Sequence, residues 1–228
     1  MDAEIIEDES LRNKTNVFRD RSEAGERLAG VLEKYRGRDG WILAIPSGGM
    51  PVGLRISQRL GLPLDLVISR KIPIPGNPEA GFGALSFEGG LFLNEPLVVE
   101  LGLTQEEIQR LSAPVREEIR HRNTLFRGER PFPDLGGKVA ILTDDGLASG
   151  YTMMASITLV KKRRPSRVVV AVPTAPESTI QRISAQADEI VCLNIRRGFF
   201  FAVADAYREW HDLSDDEAMK LLGQLRSP

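Results

Sequence analysis

Apolar residues in this 228-residue chain gather into short continuous runs, separated by stretches in which they recur at helical spacing. Short β-branched and aliphatic runs bounded by turn residues predict strands buried on both faces. They occur at 41–45, 64–69, 139–143, 168–172 and 189–193. Over 18–35, Ala24, Leu28, Val31 and Leu32 fall on one face of a helix, and 53–60 reads as a second helix. Thr104-Gln-Glu-Glu107 has the form of a capping box, opening a long charged helix to about Leu125. Ser214-Asp-Asp-Glu217 caps a final helix in the same way, and another helix is expected between the last two runs. Residues 70–100 are rich in Gly and Pro, and their apolar pieces at 84–87, 91–93 and 97–100 are expected to pair antiparallel. Residues 1–15 are polar and acidic and read as an arm or an early helix of weak order. The alternation of strand and helix predicts a parallel sheet covered on both faces, in a single domain over 16–228.

Ligands of such sheets sit at the carboxyl ends of the strands, so the chemistry is sought there. The run 139–143 closes in Asp144 and Asp145. Neighbouring side chains on a strand point to opposite faces, so both acids serve one ligand only if the chain turns, and Gly146 permits that turn. Residues 146–152 then supply small side chains, hydroxyls and backbone N–H groups at a helix start, a natural seat for a phosphate. Acids beside such a seat point to a ligand with vicinal hydroxyls and a phosphate, such as a ribose phosphate.

Other strand ends leave two readings each. Pro46-Ser-Gly-Gly-Met-Pro-Val-Gly53 fits neither the Walker A pattern nor GxGxxG; it is a plain turn, or an anion loop in which Gly48 and Gly49 approach closely. Arg70-Lys71-Ile-Pro-Ile-Pro75 is a surface basic pair or a polyanion seat. Arg127-Gly-Glu-Arg130 is a surface loop or closes over phosphates. Residues 173–177 are expected at the site mouth, and His121 lies among Arg116, Arg120 and Arg122 on a face read as solvated.

Composition narrows the class. A net charge of −2 gives no basic footprint for nucleic acid. Cys192 is the only cysteine, which excludes an intrachain disulfide and a multi-cysteine metal site; it reads as a small buried hydrophobe. His121 and His211 stand in different contexts, so no histidine metal site is expected. No apolar run reaches membrane-spanning length and the acidic N-terminus is not a signal peptide, so a soluble cytoplasmic enzyme without a membrane partner is expected.

The segment Asp144-Asp145-Gly-Leu-Ala-Ser-Gly-Tyr-Thr152 resembles the phosphoribosyl diphosphate signature of type I phosphoribosyltransferases. Together with Phe18-Arg-Asp-Arg-Ser-Glu-Ala-Gly25, the loop 45–52, Arg70-Lys71 and the tail 204–217, it is similar to a bacterial and archaeal branch with no settled base, over about residues 16–220. That resemblance implies an α/β fold with a mostly parallel five-stranded sheet, helices on both faces and a small hood from the N- and C-terminal segments. The hood would include 199–203, where Phe199, Phe200 and Phe201 stack on a base or, for at least two of them, join the core. It implies that Asp144 and Asp145 hold the ribose hydroxyls, and that Leu147, Ala148, Ser149, Gly150, Tyr151 and Thr152 hold the 5′-phosphate. Ser47, Gly48 and Gly49, with Arg70 and Lys71, would hold pyrophosphate, and Asp144, Asp145, Arg70 and Lys71 would carry catalysis. The implied reaction is Mg²⁺-dependent transfer of 5-phosphoribose from its 1-diphosphate to a small nitrogenous base, in a homodimer. Two departures matter. Ala148 stands where the 6-oxopurine enzymes carry an aspartate, and Tyr151 stands where a small residue is usual, its ring either covering the phosphate or facing away. A non-catalytic protein that binds the same diphosphate and reports its level is the alternative; a ribose-phosphate hydrolase with the acids as metal ligands is a third reading.

Overall fold

The computed structural model describes residues 2–128, 130–198 and 200–226. Among these, six strands form one parallel sheet: β1 (Glu4–Ile6), β2 (Gly40–Ala44), β3 (Leu64–Leu66), β7 (Val139–Thr143), β8 (Arg167–Pro176) and β9 (Glu189–Arg196). Their spatial order is β1-β9-β8-β7-β2-β3, parallel throughout. A second, antiparallel sheet joins β4 (Ser69–Ile74), β5 (Asn77–Ser86) and β6 (Leu91–Leu93). The helices are α1 (Arg21–Val31), α2 (Gly49–Leu60), α3 (Glu95–Glu100), α4 (Gln105–Arg127), α5 (Tyr151–Lys161), α6 (Glu177–Ser184) and α7 (Asp215–Arg226).

The period of two along each strand sorts the core onto two faces. In β8, Val168, Val170 and Val172 pack with α5 and α6 residues such as Met153, Ile157 and Ile180. Val169 and Ala171 turn the other way, towards Leu28 of α1 and Ile56 of α2. Each fully buried aliphatic side chain contributes about 1.5–3 kcal/mol, so these two faces hold the sheet between its helices.

Four local expectations change. The parallel sheet has six strands, not five, because Glu4–Ile6 lies beside β9. Residues 4 and 5 of that strand are exposed, and Ala3 N–H donates to Ser184 O at 2.9 Å. Backbone pairing, rather than an apolar period, therefore places it. The run 64–69 divides between two sheets, its last residue opening β4, so Arg70 and Lys71 lie inside a strand. Pro73, which has no N–H to donate, sits at the irregular register of that strand. Residues 97–100 belong to a helix, α3, which a proline in its first turn favours over a strand. Finally, β8 runs on to Pro176, so that Thr174, Ala175 and Pro176 pair with β9 within the sheet instead of following a finished strand.

Both capping boxes form. Thr104 Oγ1 accepts from Glu107 N–H at 3.2 Å while Thr104 N–H donates to Glu107 Oε2 at 2.9 Å. Ser214 and Glu217 repeat the exchange at 2.9 and 3.2 Å. The first sets the start of α4, whose stripe Ile108, Val115, Ile119 and Phe126 is buried against the antiparallel sheet and the edge of the parallel one.

Candidate active site

The carboxyl ends of β2 and β7, adjacent in the sheet, open into a cleft of about 660 Å³. The loop after β7 forms one wall, β4 and α4 the other. Asp144, Leu147, Ala148, Ser149, Gly150 and Thr152 line it together with Arg70 and Lys71, so residues far apart in sequence meet here.

The loop after β7 is held from behind. Leu147 N–H donates to Thr174 O at 2.9 Å. Thr179 Oγ1 donates to Ala148 O at 2.6 Å, and an Arg182 guanidinium N–H donates to Ser149 O at 2.7 Å. Two loop carbonyls are thereby committed to α6, and the N-terminus of the eleven-residue α5 faces the cleft, where unpaired N–H groups and the helix dipole favour an anion. Gly150 enters that helix at φ 78°, a left-handed conformation that explains a glycine there. The Leu147 side chain is buried, so only its backbone is available to a ligand.

Tyr151 faces away. Its ring packs on Phe92 of β6 (5.5 Å between centroids) and its hydroxyl meets Asn94 Nδ2 at 2.5 Å. Its bulk is absorbed between α5 and the antiparallel sheet, and the cleft is free of it.

The two acids part company at the turn. Asp144 lines the cleft. Asp145 turns towards α1, where Arg21 Nε donates to its Oδ2 at 2.8 Å, and Tyr207 Oη donates to its backbone carbonyl at 2.5 Å. Arg21 is held in turn by the His211 carbonyl at 2.9 Å and by the Trp210 ring 3.8 Å from its guanidinium carbon, a cation–π contact. The loop after β2 closes on the same acid: a Cβ on Gly48 would stand 2.1 Å from Asp145 Oδ2, so only glycine fits. Ser47, Gly48 and Gly49 therefore border the acid pair at the N-terminus of α2. Burial pushes the Asp144 carboxyl well up from its ordinary range, and the charge of Asp145 adds to this. Burial also raises Asp145, against the opposing pull of Arg21.

Two further residues come from α4. Arg70 pairs with Glu118, fixing one cation at the cleft wall. Arg122 donates to Ser47 Oγ at 2.7 Å and pairs with Asp215 of α7 at 3.1 Å, while its Nε has no partner among the described residues. Desolvation lowers the Arg122 pKa from its ordinary value. The solvated-face reading thus holds for exposed Arg116, Arg120 and His121 but fails for Arg122, which is partly buried. The signal was present in the spacing: 122 continues the apolar stripe 108, 115, 119, 126. Arg21 also carried one, since a cation in the first turn of a helix opposes the macrodipole and calls for an acid elsewhere.

Neither Arg127 nor Arg130 lines the cleft. Arg127 is buried and forms a two-pronged ion pair with Asp65 of β3, at 3.0 and 2.9 Å. Arg130 donates to the Arg127 and Phe126 carbonyls, and Glu129 lies outside the described residues. Of the aromatic run, Phe199 lies outside the described residues. Phe200 is 95% exposed and Phe201 is half-buried beside the Arg196 guanidinium, so neither is core. Cys192 is buried, and burial pushes its thiol pKa up, away from nucleophilic use.

Comparison with known proteins follows the same lines. The family described as "Phosphoribosyl transferase domain" matches residues 21–208, from Arg21 to one residue past Tyr207. The crystal structure of TT1426 from Thermus thermophilus superposes with a TM-score of 0.75 at 36% identity, covering 92% of this chain and 99% of that one. A Mycobacterium tuberculosis protein, provisionally named a phosphoribosyl transferase, is 34% identical over 206 residues. These are 90% of this chain and 46% of the relative, so the chain spans about half the length of the curated protein it matches. By the extent of the family match, and with the type I fold expected from its sequence present in the structure, this chain belongs to the phosphoribosyl transferase domain family.

Proposed function

We propose that the chain transfers 5-phosphoribose from 5-phosphoribosyl 1-diphosphate to a nucleobase or related nitrogenous acceptor, releasing pyrophosphate. The observation that carries this reading is the convergence on one cleft of a half-buried acid (Asp144), a helix N-terminus behind a small-residue loop (146–150) and two cations (Arg70 and Lys71). Each has a counterpart on the donor: ribose hydroxyls, 5′-phosphate and diphosphate. Asp144 and Asp145 orient the ribose, Leu147 to Thr152 enclose the 5′-phosphate, and Ser47, Gly48, Gly49, Arg70 and Lys71 receive the diphosphate. Tyr151 serves this loop through its backbone alone.

In the reaction the bond from C1 to the diphosphate oxygen breaks, its electron pair leaves with pyrophosphate, and the acceptor nitrogen forms the new bond to C1 and loses its proton to the departing pyrophosphate or to solvent. Positive charge builds at C1 between these events, so fixed carboxylates near the ribose and cations on the leaving group lower the barrier. Asp144 supplies the first, and the Arg70–Glu118 pair keeps one cation aimed at the second. Mg²⁺ fits these residues: Asp144 offers hard oxygens and has no cation of its own among the described residues, where no cluster of three or more His, Cys, Asp or Glu would cage a metal unaided. When bound with the diphosphate, the ion would neutralise charge on the leaving group and brace the ribose hydroxyls. The apolar positions Pro73, Pro114, Val115 and Val203 line the same cleft and suit a flat base, while Ala148 leaves it without the acid used on 6-oxopurines. A place in nucleotide salvage, the cytoplasm and a homodimer follow from the family's habit.

A pyrophosphate-release assay over a panel of nucleobases and other nitrogen heterocycles, with Mg²⁺, tests the reading. Release that requires one class of acceptor is expected. Binding of the diphosphate without release under any acceptor would favour the non-catalytic sensor instead.

A further inference from the structure

We propose that the chain carries a second polyanion site, separate from the cleft, that takes the phosphate chain of a small molecule. A cavity of about 760 Å³ lies on the other flank of α4, within the size range of small-molecule sites. Val115 and Glu118 of α4 face the cleft, whereas Arg116, Arg120 and Asn123 face this second cavity. Those three residues fall at spacings of four and three, which places them along one stripe of the helix.

The floor of the cavity is aromatic and its charge is already neutralised. Phe87 and Phe132 meet edge to face at 5.2 Å, and the Arg127 guanidinium lies 5.0 and 5.2 Å from their ring centres. Asp65 cancels the charge of Arg127. The carboxylate that lines the cavity, Glu88, is cancelled by Arg163.

Among the described residues, the remaining lining charges are all positive. Arg116 has no hydrogen-bond or ion-pair partner among the described residues. Arg120 pairs only with Glu117, and both side chains of that pair are about 70% exposed, a setting in which an ion pair is worth little. Among the described residues, Arg130 donates to the two carbonyls at the end of α4. Arg116 and Arg120 are like charges four residues apart on a helix, an unfavourable pairing that an anion between them would relieve. Guanidinium groups are matched to phosphate oxygens by their fork of donors, and a concave site of this size suits a small molecule. Nothing here depends on the reading of the cleft.

The test titrates inorganic tripolyphosphate, and separately ATP, into the full chain by calorimetry. The variants are Arg116→Ala/Arg120→Ala and, as a control for the cleft, Arg70→Ala/Lys71→Ala, each confirmed as folded by its thermal melt. Saturable binding that survives the cleft control and weakens by about tenfold or more in Arg116→Ala/Arg120→Ala is expected. Tighter binding of ATP with the same dependence on Arg116 and Arg120 assigns a nucleoside triphosphate; equal binding assigns the bare phosphate chain. No binding, or binding lost with Arg70 and Lys71 but indifferent to Arg116 and Arg120, overturns the proposal.

Discussion

Asp144→Asn is expected to lower pyrophosphate release by about two to three orders of magnitude while stabilising the unliganded protein above about pH 5. Both effects follow from one carboxyl. In the free protein it is half-buried beside Asp145 with no ion-pair partner among the described residues, and desolvation, then the neighbouring charge, raises its pKa well above the ordinary range. A carboxyl whose folded pKa exceeds its unfolded value holds its proton more tightly in the native state. Stability therefore falls as pH climbs from the unfolded value of about 4 through the raised folded value. Asparagine has no proton to lose and removes that slope. Other carboxylates, such as Glu23, are shifted down and contribute with the opposite sign, so the informative quantity is the difference between wild type and variant. Melting temperatures at intervals from about pH 4 to about pH 8 should show the variant gaining on the wild type as pH rises. A constant separation across that range would mean that Asp144 is not destabilised by its setting. The trade of stability for function is a common property of sites that await a charged ligand.

Arg127→Met is expected to cost about 3–5 kcal/mol of unfolding free energy, measured by urea denaturation, because it strands Asp65 inside the protein. The pair is two-pronged, and the side chains are only 2% and 9% exposed. It joins the end of α4 to β3, and Arg127 also donates to the Pro131 carbonyl. Substituting both partners, Arg127→Met with Asp65→Leu, should recover most of the loss, since two apolar side chains leave no buried charge unpaired. A near-neutral single variant would contradict a structural role and return Arg127 to the candidates for ligand binding.

The parallel sheet and the cleft loop were legible because short, continuous, β-branched runs and a strand–acid–glycine–helix succession are local signals. The capped helices were legible for the same reason: Thr104 with Glu107 and Ser214 with Glu217 satisfy one another within four residues. What escaped depends on partners remote in sequence. The edge strand at Glu4–Ile6 is too short to show a period and is placed by bonds to β9 and α6. Residues 97–100 form a short apolar run that suits helix and strand equally until Pro96 is weighed. The ion pairs of Arg21 and Arg127 were not readable because their acids, Asp145 and Asp65, lie 124 and 62 positions away. Arg122 was masked by charged neighbours, although its spacing belongs to the buried stripe of α4. The acid pair itself could be found, but not its division into one group on the cleft and one held by Arg21.

The most direct measurement is calorimetric titration of 5-phosphoribosyl 1-diphosphate with Mg²⁺ into the wild-type chain and into Asp144→Asn/Asp145→Asn. Saturable one-site binding by the wild type, abolished in a double variant that still melts cooperatively, is the predicted result. A folded wild-type chain that gives no binding would contradict the assignment of the cleft to this donor.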